Sequence, residues 1–174
     1  MTYTVTRSIG IDAGHRIMTH GSRCRHIHGH RYTIEAVCEA AVLQAAGEQT
    51  DMVVDFGFLK EEMLRLIDAP CDHGFIASLE DKDLLAMFAP TDMTFTSWLE
   101  AVAAEVNSLG HCATTHCRLG TRLYVVPFQP TAERLARHWF GLLKAPVARR
   151  GGEGTRLARI TVWETPNCRA SFEE

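Results

Sequence analysis

The chain has 174 residues, 46% hydrophobic and 22% charged, an ordinary globular balance with enough length to bury the core of one domain. A formal net charge of −3 excludes the strongly basic surface of a general nucleic-acid binder. No apolar run is long enough to cross a membrane, and the opening MTYTVTRSIG lacks the charged and apolar regions of a secretory leader, so the expectation is a cytoplasmic protein.

In chain order, residues 2–11 are rich in β-branched side chains and predict a strand. Residues 31–42 predict a second, with Tyr32, Ile34, Ala36 and Cys38 on one face. Residues 16–27 are the loop between them, and Gly47 to Met52 reads as a turn. Asp55 caps a helix over 56–68 whose apolar stripe is Leu59, Met63, Leu66 and Ile67. A second loop opens at Pro70-Cys71-Asp72-His73, and a short helix is expected over 81–88. Ser97-Trp98-Leu99-Glu100 has the form of a capping box, opening a helix with Trp98, Val102, Val106 and Leu109 at helical spacing and Gly110 past its end. Residues 121–128 predict a strand. Pro130 suits the first turn of a helix striped by Leu135, Trp139, Leu142 and Leu143. Residues 148–155 read as an exposed turn, 156–165 as a strand with Leu157, Ile160 and Val162 partly buried, and 168–172 as a last short strand. This order predicts an α+β domain of antiparallel hairpins rather than alternating parallel units. It is a single domain over 1–174, with an extended helical segment at about 79–120.

The six cysteines are Cys24, Cys38, Cys71, Cys112, Cys117 and Cys168. They form no CxxC pair and read as thiols, mostly small buried hydrophobes. Cys24 differs, because it precedes His26-Ile27-His28-Gly29-His30 in a polar stretch. If that stretch is extended, His28 and His30 point to one face and can hold one metal ion. His15, at the end of the first strand, becomes the third ligand if a hairpin brings it alongside. Three imidazoles with an open fourth position suit catalytic zinc, and imidazole also suits iron, copper and nickel. The competing reading is a polar loop in a chain with nine histidines. His20 and His26 read as loop residues and His138 as helix surface or core. The spacing of His111-Cys112 and His116-Cys117 fits no usual structural zinc pattern.

Several short motifs coincide. Cys24 to His30 has the form C-x-x-x-H-G-H, preceded by Asp12-Ala13-Gly14-His15. Met52 to Lys60, MVVDFGFLK, is followed by Asp72-His73, by Pro130-Thr131-Ala132-Glu133 and by Val162-Trp163-Glu164-Thr165. In this order the six elements resemble the 6-pyruvoyltetrahydropterin synthase and 6-carboxytetrahydropterin synthase family. Three departures stand out. Gly14 occupies a position usually held by Ala or Ser, Cys71 one usually held by Leu, and the span from Ser78 to Gln129 is longer than in compact members.

The resemblance implies the tunnelling fold, an antiparallel sheet with helices packed on one face, assembled into an oligomeric barrel. The usual assembly is a homohexamer, a dimer of trimers with active sites at subunit interfaces. It implies zinc held by His15, His28 and His30. Cys24 would be the general base, with Asp72 and His73 as its partners in proton transfer. Glu164 would anchor the pterin, assisted by Thr131 and Glu133. The implied reaction converts 7,8-dihydroneopterin triphosphate to 6-carboxy-5,6,7,8-tetrahydropterin, acetaldehyde and triphosphate, a step toward queuosine and other 7-deazapurines. The sibling reaction, elimination of triphosphate to a 6-pyruvoyl product, uses the same motif residues. A pterin- or zinc-binding protein without catalysis is a third reading. Four positions have structural roles in competition: Cys24 as an inert loop thiol, Asp72 as a turn cap, Glu164 as a surface residue of an edge strand, and Glu133 as an acidic residue favoured in a first helical turn.

Overall fold

Two long strands form the middle of the sheet. In the computed structural model, which describes residues 1–174, β1 (Tyr3–His15) and β2 (His28–Ala40) run antiparallel, with Tyr3 opposite Ala40 and His15 opposite His28. Both strands run past the predicted strand bounds, up to the edges of the predicted loop at 16–27, so His15, His28 and His30 all lie on strand. Cross-strand pairs share a face. Ile9, Ile11, Ala13 and His15 therefore point to the same side as Ile34, Tyr32, His30 and His28.

Five further strands complete a seven-stranded sheet of order β4-β5-β3-β1-β2-β6-β7. They are β3 (Gly74–Ser78), β4 (Cys112–Thr114), β5 (Arg122–Val126), β6 (Arg156–Thr165) and β7 (Cys168–Glu173). The pairs β1-β2, β2-β6, β6-β7 and β4-β5 are antiparallel, as expected of hairpins. The short strand β3 is parallel to both β1 and β5, so the sheet is mixed. Parallel neighbours need a crossover. Here the chain leaves β2, passes through a helix and returns to β3.

That helix is α1 (Phe56–Met63), capped by Asp55, whose carboxylate accepts from the Phe58 N–H at 2.8 Å. It does not stop at 68. It widens into a π turn (Leu64–Asp68), in which the Ala69 N–H donates to the Leu64 carbonyl five residues back, and ends in a last turn at Ala69–Cys71. Pro70 has no N–H to donate, and a π turn before it relaxes the regular ladder that a proline would break. α2 (Lys82–Phe88) matches expectation, with Asp81 as its cap. α3 (Phe95–Leu109) starts earlier than the capping box suggested. Thr94 is the cap, its hydroxyl accepting from the Ser97 N–H at 3.2 Å. Gly110 closes α3 in the left-handed region, as expected. α4 (Ala132–Arg150) is capped by Thr131, with Pro130 just outside it. The turn after it is only partly exposed: Gly151 and Thr155 are buried, and the Thr155 hydroxyl donates to the Val53 carbonyl at 2.8 Å.

α1 and α4 cover one face of the sheet. The main core of 28 buried residues lies there, built around Trp139, Phe140, Tyr32, Leu59 and Met63. A second core of 11 buried residues joins Leu84 and Leu85 of α2 and Trp98, Val102 and Val106 of α3 to Ala77, Leu123 and Val125. β5 shows why both exist. Tyr124 and Val126 point into the main core, while Leu123 and Val125 alternate into the second. Helices thus cover one face along β1, β2 and β6, and both faces at the β3-β5 end. The segment expected at about 79–120 forms this second lobe. No helix is long and apolar enough to cross a membrane.

Candidate active site

The strand register brings three imidazoles together at one end of the β1-β2 pair. Ring centroids are 4.5 Å apart for His15 and His28, 5.2 Å for His15 and His30, and 5.0 Å for His28 and His30. His15 is buried and the other two are half-buried. His15 Nδ1 lies 2.9 Å from the Pro130 carbonyl and His28 Nδ1 lies 2.7 Å from the His26 carbonyl. A carbonyl only accepts, so each Nδ1 carries the proton and each Nε2 keeps its lone pair. The two Nε2 atoms face each other at 3.1 Å. Two lone pairs at that distance need a proton or a cation between them. Burial opposes the proton, holding His15 down to about 4, helped by the two neighbouring histidines against the Pro130 contact. Burial also lowers His30. The donor set, with two of its three outer nitrogens fixed by carbonyls, fits a divalent metal.

Two cavities border this cluster, one at His15 and the other at His30. A smaller one, about 230 Å³, is lined by His15, Cys24, Thr131, Glu133, Glu164 and Cys168, among others. Cys24 sits in a single 3₁₀ turn, half-buried, and its carbonyl accepts from the Ile17 N–H at 2.8 Å. Thr131 spends its hydroxyl on the Arg134 N–H as the α4 cap, and Glu133 is exposed in the first turn. A larger cavity, about 590 Å³, is lined by His30, Arg31, Thr33, Glu35, Trp163, Glu164 and Thr165. Glu164 belongs to both, with Oε1 3.9 Å from His15 Nε2. All six cysteines are free, with four of them buried.

Asp72 and His73 lie elsewhere in the chain. His73 lines a third cavity with Asp12, Ala13, Gly14, Gly29, His30 and Arg31. Of these, Asp12, Gly14, Gly29 and Arg31 alternate onto the face of β1-β2 away from Cys24. Asp72 bridges the Asp12 N–H at 2.8 Å and His73 Nδ1 at 2.6 Å. Burial alone would raise its carboxyl. Those two hydrogen bonds, with the charges of His73 and Arg31, outweigh it and hold Asp72 below the usual carboxylate range. The His73 backbone takes φ +54, a left-handed conformation, and its N–H donates to the Asp12 carbonyl at 2.8 Å. The result is an exposed, oriented imidazole with Nε2 turned away from its carboxylate.

Comparisons with known proteins give the family and the fold. The family model for 6-pyruvoyl tetrahydropterin synthase matches residues 4–174. The chain belongs to the 6-pyruvoyl tetrahydropterin synthase family. Within it, the chain is 30% identical over 165 residues to a 6-carboxy-5,6,7,8-tetrahydropterin synthase of Rickettsia felis, covering 94% of each chain. The Haemophilus influenzae protein of the same name is 25% identical over 172 residues, with 99% of each chain covered. An uncharacterized protein of Wolinella succinogenes superposes with a TM-score of 0.71 at 21% identity, covering 100% of this chain and 99% of that one. The 6-pyruvoyl tetrahydropterin synthase of Plasmodium vivax superposes with a TM-score of 0.61 at 16% identity, covering 100% and 98%. Those two likenesses carry the fold, the tunnelling fold expected from the motifs.

Sequence reasoning missed three parts of this family member's site. Tyr32 stands edge-on beneath His15 and His30, with centroids at 5.8 and 5.4 Å, and its buried hydroxyl has no partner. Its place two residues beyond His30 was the available signal. Asp12 and Arg31 form an ion pair beside the Asp72-His73 dyad. Trp163 walls the larger cavity beneath the Arg169 guanidinium, 4.6 Å from the ring centroid.

Proposed function

We propose that this protein is a zinc-dependent 6-carboxy-5,6,7,8-tetrahydropterin synthase. In this reading it converts 7,8-dihydroneopterin triphosphate to 6-carboxytetrahydropterin, acetaldehyde and triphosphate, in the cytoplasm, toward queuosine and other 7-deazapurines. The observation that carries it is the pair of facing Nε2 lone pairs of His15 and His28, 3.1 Å apart, with His30 completing the donor set. His15, His28 and His30 would hold the zinc, which would supply a Lewis acid for the hydroxyls of the substrate side chain and make the neighbouring C–H more acidic.

The remaining roles fall to this chain's own groups. Glu164 accepts two N–H bonds from the amino-pyrimidine edge of the pterin, in the larger cavity beside Trp163. Cys24 acts as the base on the side chain held in the smaller cavity, with Thr131 and Glu133 at its wall. His73 exchanges a proton through Nε2, its Nδ1 held by ionised Asp72. Within one chain the dyad lies across the β1-β2 pair from Cys24. That separation supports an assembly in which a second copy delivers its dyad to this thiol, in a homohexamer with active sites between subunits.

The test is a product assay with zinc-loaded protein and 7,8-dihydroneopterin triphosphate, reading the pterin by mass spectrometry and acetaldehyde separately. The expected result is the carboxy-pterin with acetaldehyde. A pyruvoyl product would move the assignment to the sibling reaction. Unchanged substrate with metal bound would overturn this reaction and make a different substrate or a non-catalytic protein the better account.

A further inference from the structure

We propose that Arg16 and Asp81 form a positioning clamp through which the α2-α3 lobe fixes His15 and Cys24. The inference rests on the reading above for the roles of those two residues, and on separate observations for the clamp. Arg16 follows His15 directly. Its Nε donates to Asp81 Oδ2 at 2.6 Å and its Nη2 to Oδ1 at 2.5 Å, a two-point fork that fixes direction as well as distance. Asp81 is 4% exposed, and its Oδ1 also accepts from the Leu84 N–H at 3.2 Å, so the same carboxylate caps α2. A cap alone needs one oxygen. Here both oxygens are committed to Arg16.

The contacts run on to the thiol. The residue after Arg16, Ile17, donates its N–H to the Cys24 carbonyl at 2.8 Å. One clamped residue therefore separates an imidazole of the histidine cluster from the peptide that fixes Cys24. The lobe also braces the residue on the other side of His15. A Cβ built on Gly14 would come within 2.6 and 2.8 Å of the Phe75 ring, which packs on Phe88 of α2 with centroids 5.2 Å apart. This accounts for a glycine where the family commonly carries Ala or Ser. Both neighbours of His15 in sequence thus rest on the lobe. A largely buried ion pair contributes little net stability compared with an apolar contact of the same size, whereas its geometry is specific. That balance suits positioning better than adhesion.

The experiment compares Arg16→Ala, Asp81→Asn and the double variant in the full-length zinc-loaded protein. Asparagine keeps a capping side chain at the α2 start, so α2 survives. Three quantities are read: the rate of Cys24 alkylation by iodoacetamide, followed by peptide mass spectrometry; zinc retention against a chelator; and thermal stability. Each single variant is expected to change the Cys24 rate several-fold and weaken zinc retention by about tenfold, the size of effect found for groups that orient ligands. The double variant is expected to match the single ones, because the two residues act as one unit. Where turnover is measured, kcat falls with KM nearly unchanged. Lowered melting temperature with Cys24 reactivity and zinc retention as in the parent would overturn the clamp, leaving a structural ion pair. Additive effects in the double variant would overturn it too. Altered thiol reactivity and zinc retention in a protein whose parent shows no turnover would sink the proposed reaction and leave the clamp standing.

Discussion

The two faces of the β1-β2 pair carry two kinds of chemistry. On the helix-covered face, His15, His28 and His30 are packed by Pro130, Tyr32 and each other, and burial keeps His15 neutral. On the other face, Asp72 and His73 are charged or open to solvent, with His73 76% exposed on a left-handed backbone. The buried cluster is completed by one chain, and its cost is the crowding of donor nitrogens. The open dyad is oriented with care, and Cys24 does not line its cavity. The difference shows how one strand pair can serve two half-sites by alternation alone.

Variants can separate the two faces. Cys24→Ala and His28→Ala should each lower turnover by about a thousandfold, but His28→Ala alone should lose zinc, as measured by metal analysis of the purified proteins. His73→Gly should lower turnover by about a hundredfold while leaving zinc content intact. Glycine tolerates φ +54, so its melting temperature should equal or exceed the parent's; a clear fall would show that the imidazole holds the fold. Acid should act on the buried face. The folded value of His15, about 4, lies below its ordinary 6.5, so the unfolded chain takes up the proton first. Stability of the metal-free protein should therefore be complete above pH ~6.5 and fall toward pH 4, by about 3 kcal/mol for this group. Denaturant titrations across that window check it. The smallest effect is expected from Gly14→Ala, a loss of about 1–3 kcal/mol from overpacking against Phe75, relieved when Phe75 is also made smaller.

Much of this was legible from residue spacing. The alternation in β2 and the two-residue step from His28 to His30 placed both rings on one face, and His15 joined them through an ordinary hairpin register. The failures were local. β3 is five residues long and β4 three, too short for a period to show, and only the sheet makes them strands. Pro70 read as a stop, but the π turn before it let α1 continue. Ser97-x-x-Glu100 met the capping pattern, yet Thr94 lies three residues upstream and supplies the acceptor that Ser97 donates to. The separation of Cys24 from Asp72-His73 was beyond reach, because it depends on which side of a strand a loop returns to.

Glu164 forms part of the wall of both cavities that border the histidine cluster, and its carboxylate oxygen stands 3.9 Å from His15 Nε2. A ligand that takes up this carboxylate in one cavity alters the charge sensed in the other. Occupancy of the two cavities is then linked, and linkage is reciprocal: whatever factor zinc adds to affinity for the heterocycle, the heterocycle must add to affinity for zinc.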